Sequence, residues 1–432
     1  MGNVVKLLVL ALLCVRPGNC GSIDHLDITT VLLSVSGPMN QRFFAQVMDN
    51  KTNMHVWHSD SRRLVVTSDN PLETLSILEA PKLEKLVLHP NTQLQQLIVG
   101  HCPLNRLTKS LYNLRALSVL KFVICRFNGT FNLAELLPFR NLTTFSLEAN
   151  QLTEVTLQPG ESSTATEPKA ALRMLDLSSN LFEHFNLSVL QAFPLLKVLR
   201  LPRNKLVTLG GSVFLQALEL LDVQLNVLIE LDLSGCDCSS LLYVYASDNK
   251  LSTFPAFGEA ITSIQVLNLN DNQLASLNVI ELTKQPNLTT LMLSTNALKS
   301  FSVDDGRNGT AMELPSLTSL DLRNNRIESL DLRGWQLPSL VKLRVLNNPL
   351  VTIPDDLLER FPQLTKVDCY CPNVDCTWIQ RNVAHIRDRK FEMSVAHQGP
   401  TQMDKGYRCV TVPYVGCVRC PFERNESEMT NP

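Results

Sequence analysis

Leu317-Thr318-Ser319-Leu320-Asp321-Leu322-Arg323-Asn324-Asn325 puts leucine at its first, fourth and sixth positions and asparagine at its ninth. The same spacing stands at Leu172 to Asn180 and at Leu288 to Asn296. The asparagine returns at Asn150, Asn180, Asn204, Asn226, Asn249, Asn272, Asn296, Asn325 and Asn348, with most steps 22 to 25 residues long. Cysteine takes the slot in two earlier turns, Leu94 to Cys102 and Leu117 to Cys125, and a weaker first turn runs from Leu72 to Ala80. Asn91 ends a matching motif only half a turn before Cys102, and reads as a convex-side segment.

A fixed period of this length denotes stacked, similar turns. The Leu-x-Leu alternation is a short strand with alternate side chains pointing inward. One turn cannot bury its own apolar face, but stacked turns bury a continuous leucine core and pair their strands into a parallel sheet. The asparagine stands where the chain leaves the strand, and its amide can bond otherwise unpaired backbone groups of neighbouring turns. Proline two residues before the motif, at Pro194, Pro286, Pro315 and Pro338, helps to end the preceding segment. The expected fold is therefore an α/β horseshoe solenoid of about twelve turns over residues 72–368, with a parallel concave sheet. Two longer steps, holding residues 158–168 and 304–310, are polar and turn-rich and read as loops bulging from the stack.

The ends of a solenoid need covers. Residues 21–71 read as an N-terminal cap built from strands, with Val31 to Val35 and Arg63 to Val66 strand-like. Residues 369–420 read as a cysteine-rich C-terminal cap, followed by a polar tail at 421–432. Its six cysteines, Cys369, Cys371, Cys376, Cys409, Cys417 and Cys420, leave the pairing open. Trp378 stands ready to cover the last core edge. Cys236 and Cys238 read either as a local bridge or as two bridges to other places, and Cys102 with Cys125 either as a bridge between adjacent turns or as two buried thiols.

The first twenty residues read as a signal peptide: Lys6, an apolar run from Leu7 to Val15, then Arg16-Pro17 and small residues before Gly21. Seven Asn-X-Ser/Thr sequons follow, at Asn50, Asn128, Asn141, Asn186, Asn287, Asn308 and Asn425. Together these point to a secreted, extracellular, disulfide-bonded glycoprotein with no membrane anchor. The formal net charge of −2 gives no electrostatic footprint for nucleic acid. No catalytic constellation, metal motif or cofactor-binding motif stands out. The one close histidine pair, His55 and His58, reads as cap packing.

The turns and the terminal Cys369-x-Cys371 resemble extracellular leucine-rich-repeat proteins over about residues 72–420. The signal peptide, the turn length, the cysteine-rich end and the lack of an anchor resemble the mosquito leucine-rich-repeat immune family. The chain ends without heptads, so it is similar to that family's members that lack a coiled coil. This resemblance implies a soluble immune factor.

Between the motif leucines, side chains face solvent on the concave sheet. Tyr243 and Tyr245, with Asp176, Arg200 and Asp222, are the candidate binding residues, because tyrosine and arginine combine area with directed hydrogen bonds. Val198, Leu220 and Val266 add apolar area. The sequence thus points to a non-enzymatic, protein-binding factor of innate-immune recognition or scaffolding, with an extracellular-matrix or cell-adhesion protein of the same fold as the alternative. The expected partner is another extracellular protein or a microbial surface component.

Overall fold

The computed structural model describes residues 5–6, 30–47, 51–158, 170–301, 312–350, 353–368, 376–384, 407–412 and 416–421. It divides into two units, residues 1–206 with 211–219, and residues 207–210 with 220–432.

In the first unit the motif segments form a parallel sheet in chain order. Its strands are Thr30–Val35, Asn53–Ser59, Thr74–Ile77, Gln96–Gly100, Val119–Val123, Thr144–Ser146, Met174–Asp176 and Val198–Arg200. The register sets like positions side by side, so that Phe145 pairs with Leu175 and Leu175 with Leu199. These inward residues are fully buried. The second unit repeats the plan with Leu220–Asp222, Tyr243–Tyr245, Val266–Asn268, Thr290–Met292, Ser319–Asp321, Lys342–Arg344 and Lys366–Asp368. The fold is a parallel-sheet solenoid. Helix is scarce and short, as in the 3-10 turns Leu133–Leu136 and Leu187–Leu190 and the α-turn Val279–Thr283. The convex side is thus made mostly of turns and two-stranded pairs such as Asp232–Leu233 with Ala256–Phe257.

The asparagine slot does the bonding work expected of it. Asn180 Nδ2 donates to Leu147 O and Leu177 O (2.9 and 3.1 Å), and its Oδ1 accepts from the Leu152 N–H at 3.0 Å. In the second unit Asn325 bonds Leu293 O, Leu322 O and the Leu298 N–H in the same way. Both asparagines are buried, so without these amides the turn's backbone groups would lack partners. Where cysteine holds the slot, a covalent link joins the turns: Cys102 and Cys125 are disulfide-bonded, with Cα atoms 4.6 Å apart. Cys236 and Cys238 form a local bridge.

The residue before each slot is left-handed. Ile124, Ser179 and Arg203 in the first unit, and Asp248, Asp271 and Asn324 in the second, have φ between 53° and 57°. This single reversal takes the chain off the strand while leaving the next side chain aimed inward. It is costly for most L-residues, and most of all for a β-branched one such as Ile124. The bonds of the following slot hold it in place.

The parallel sheet begins before residue 72. Thr30–Val35 and Asn53–Ser59 already pair in it, inside the segment read as a cap. Ser61 takes part of the asparagine's role there: its hydroxyl donates to Arg63 O at 2.7 Å and accepts from the Met39 N–H at 3.2 Å. Val5–Lys6 pairs antiparallel with Thr30–Val35, and the rest of the segment read as a signal peptide lies outside the described residues. So do residues 159–168 and 304–310 of the two segments read as bulging loops.

At the other end, Trp378 is buried and its indole N–H donates to Pro354 O at 3.3 Å. Tyr407–Val412 and Gly416–Pro421 form an antiparallel hairpin. Cys369 and Cys371, and the side chains of Cys376, Cys409, Cys417 and Cys420, lie outside the described residues.

Candidate functional site

A strand within a sheet has its backbone paired on both sides, so what it offers a partner is side chains. Its inward side chains here are leucines committed to the core. The concave positions between them carry no packing duty, and they form three rows across each unit.

In the first unit the predicted residues Asp176 and Arg200 sit side by side in register. Arg200 is exposed, but Asp176 is only 8% exposed. Its Oδ1 accepts from the Ser178 N–H at 3.0 Å and from the Ser178 hydroxyl. Asp176 is therefore mostly buried and bonded within its own turn, where the sequence reading expects a solvent-facing side chain. Nearby Glu148 is held above the ordinary carboxylate range, first by burial and then by the charge of Asp176. Lys121 and Arg200 oppose that shift, so this stretch is a balanced charge cluster.

In the second unit Asp222, Tyr245 and Asn268 stand in register in one row, with Leu220, Tyr243 and Val266 in the row beside them. All six are half-buried. The two tyrosines lie on one strand on either side of buried Val244. Asp222 Oδ1 accepts from the Gln224 side chain at 3.0 Å, and Ser247 Oγ donates to Gln224 Oε1 at 2.8 Å. The tyrosine strand thus borders a fixed polar row. Tyr243, Tyr245 and Asp222 are brought together here; Asp176 and Arg200 belong to the other unit.

Further along the same sheet lies a charge network that the reading of two rows missed, because one member stands in the third row. Arg323 grips Asp321 through Nε at 2.9 Å and a terminal nitrogen at 2.6 Å. Arg344 reaches Asp321 at 3.5 Å and Asp368 at 3.2 Å. The second contact is an ion pair without the geometry of a directed hydrogen bond. Asp321 is 5% exposed, so the two arginines neutralise a buried carboxylate.

Two exposed apolar residues also escaped the sequence reading. Trp57 and Leu78 are 50% and 54% exposed in the first unit. Trp57 lies at a register shift, where Val56 and His58 pair with consecutive residues of the neighbouring strand. Such a bulge re-aims its side chain. His58 is held by Glu79 at 3.1 Å, and burial lowers the pKa of His55. Among the described residues no three His, Cys, Asp or Glu side chains converge to hold a metal ion. None of the described helices is long and apolar enough to cross a membrane.

On the convex side Asp331 accepts from the Arg333 guanidinium at 3.0 and 2.8 Å and from the Arg333 N–H at 3.0 Å. These bonds lower its pKa from 3.8 to about 2. The folded value lies below the unfolded one, so the stabilisation is present above pH 3.8 and is lost as pH falls through about 2. Solvent screening keeps the effect small at this exposed site. An NMR titration should find the Asp331 carboxyl near 2 in the native chain, and Arg333→Gln should move it toward 3.8.

Residues 315–359 match the family described as Leucine Rich repeats (2 copies). These residues match leucine-rich repeats, and the fold is that of a leucine-rich-repeat solenoid. It is 35% identical over 129 residues to the platelet glycoprotein Ib alpha chain of Mus musculus, covering 30% of this chain and 16% of that one. It is 27% identical over 234 residues to Toll-like receptor 2 type-2 of Gallus gallus, covering 48% and 30%. The chain thus spans less than a third of either curated relative. Among solved structures it is similar to a leucine-rich-repeat protein of Leptospira interrogans, with 21% identity, a TM-score of 0.57 and coverage of 83% and 93%. It is also similar to the APL1 leucine-rich repeat domain, with 17% identity, a TM-score of 0.55 and coverage of 88% and 96%. These structural likenesses show the shared fold.

Proposed function

We propose that this chain is a secreted protein-binding factor that engages its partner with the concave sheet of its second unit, in innate-immune recognition or scaffolding. The observation that carries this reading is the in-register placement of Leu220, Tyr243 and Val266 beside Asp222, Tyr245 and Asn268. A strand paired on both sides presents two tyrosines, a residue type enriched in interface hot spots. The sheet has little conformational entropy left to lose on binding, which favours affinity.

The immune reading draws on the similarity to a Toll-like receptor and on the resemblance to the mosquito leucine-rich-repeat immune family. A cell-surface adhesion or matrix role is the second reading, favoured by the similarity to a platelet glycoprotein. The test is a pull-down with the tagged full chain from the extracellular fluid of its source, before and after microbial challenge. Enrichment of a partner after challenge supports the immune role. Recovery of matrix or cell-surface proteins, unchanged by challenge, transfers the reading to adhesion.

A further inference from the structure

The net charge of −2 conceals an uneven distribution. From Lys85 to Ala134 the chain carries Lys85, Arg106, Lys109, Arg115, Lys121 and Arg126, and no aspartate or glutamate. The fold gathers part of this surplus on the convex side of the first unit. Arg63–Val66 and Lys85–Leu88 pair there as a parallel two-stranded sheet, and the register sets Arg63 beside Lys85. Cys102 is tied to Cys125, so the segment from Pro103 to Arg106 departs from a covalently fixed point. The 3-10 turn Lys109–Asn113 stands on the other side of Lys85–Leu88, where Ser110 Oγ donates to Leu86 O at 3.3 Å.

These elements line a groove of about 610 Å³, a volume typical of sites for small ligands. Arg63, Lys85 and Arg106 all line it, and all three are exposed. None of these side chains has an ion pair or hydrogen bond among the described residues. The one carboxylate in the lining, Glu84, is held by Arg62 at 3.6 Å. Strands in a sheet lie about 4.8 Å apart, so Arg63 and Lys85 are like charges held side by side, which is destabilising. A bound anion turns that cost into a favourable contact.

We propose that this groove binds a sulfated polysaccharide, with sulfate groups on Arg63, Lys85 and Arg106 and a sugar hydroxyl donating to Thr108 Oγ1. The two guanidiniums are free to grip a tetrahedral anion through paired N–H groups. Ser110 spends its proton on Leu86 O, so Thr108, 3.1 Å away, donates to Ser110 and keeps its own oxygen as an acceptor. A ligand carrying both anions and hydroxyls uses the cations and this acceptor together. The lining has no aromatic ring on which a nucleic-acid base could stack. Its leucines, Leu86 and Leu104, are buried and offer little to a lipid chain. The site is independent of the concave sheet of the second unit, so either reading can fail alone.

The test uses the full chain and a fluorescein-labelled heparin octasaccharide, with its fully desulfated form as control. Fluorescence anisotropy should show the sulfated probe binding at least about tenfold tighter than the control, with the preference shrinking as salt is raised. Arg63→Gln, Lys85→Gln and Arg106→Gln together should weaken the sulfated probe at least about tenfold, with an unchanged circular dichroism spectrum. If that variant fails to fold, Arg106→Gln alone should weaken binding about threefold. Lys250→Gln with Lys299→Gln neutralises two exposed lysines of the second unit and should leave binding unchanged, as should Tyr243→Ala with Tyr245→Ala. Equal binding of the two probes overturns the proposal, and so does a loss from the distant lysines as large as that from the groove. A polyglutamate peptide, a dT oligonucleotide or phosphatidylserine vesicles binding as tightly through the same three cations would likewise overturn the assignment to a sulfated sugar.

Discussion

Asn180→Ala should destabilise the first unit by about 2–4 kcal/mol, read as a lower urea midpoint of the full chain. The side chain is 4% exposed and bonds the backbone of its own turn and of the preceding one. Two of the groups it serves have second donors: Asn150 also donates to Leu147 O, and Asn204 to Leu177 O. The Leu152 N–H loses its side-chain acceptor, and a buried unpaired donor costs about 1–3 kcal/mol. The remaining cost comes from the lost bonds of the amide and the space left behind. Loosening of the left-handed Ser179 should accompany it, since the slot holds that turn. A midpoint shift worth less than about 0.5 kcal/mol would mean that the ladder is decoration on a leucine core that suffices alone.

Tyr243→Ala with Tyr245→Ala should leave the fold intact and weaken binding of a captured partner at least about thirtyfold, roughly 2 kcal/mol. Both side chains are half-exposed, and the inward Val244 between them is untouched. Circular dichroism and the urea midpoint should match the parent chain, while equilibrium binding should not. Retained affinity with retained fold would move the contact surface away from this strand.

The solenoid was legible in the sequence because its cause is repetitive. Leu172, Leu175 and Leu177 meet the same demand as Leu317, Leu320 and Leu322, so the pattern returns until it cannot be missed. In the first turns the strands Val31 to Val35 and Arg63 to Val66 were legible, but the repeat was not. Ser61 does by hydroxyl what Asn180 does by amide, and Trp57 sits at a register shift that disturbs the alternation. The left-handed residues were hidden for a different reason. A glycine would have announced them, but Ile124, Ser179, Arg203 and Asp271 share no residue type. Their conformation is imposed by the turn, not chosen by the side chain.

The candidate site was legible in part. Alternation alone places Tyr243, Tyr245 and Asp222 on the concave side, and the register sets them beside one another. What alternation does not reveal is how deeply a short acid sinks. Asp176 and Asp321 occupy concave positions yet are buried, each bonded to the residue two places on, Ser178 or Arg323. Arg323 escaped because it follows the last motif leucine, beyond the rows read from sequence. Its bond to Asp321 is a property of the strand's end, where the chain begins to turn and the third row opens toward solvent.

Hydroxyl-radical footprinting of the full chain, alone and with the partner recovered from extracellular fluid, tests the central claim most directly. The concave account predicts protection of Tyr243, Tyr245 and Met292, with unchanged labelling of Phe214 and Ile280, both exposed and off the concave strands. Protection of Phe214 and Ile280 with unchanged labelling of the tyrosines would contradict it.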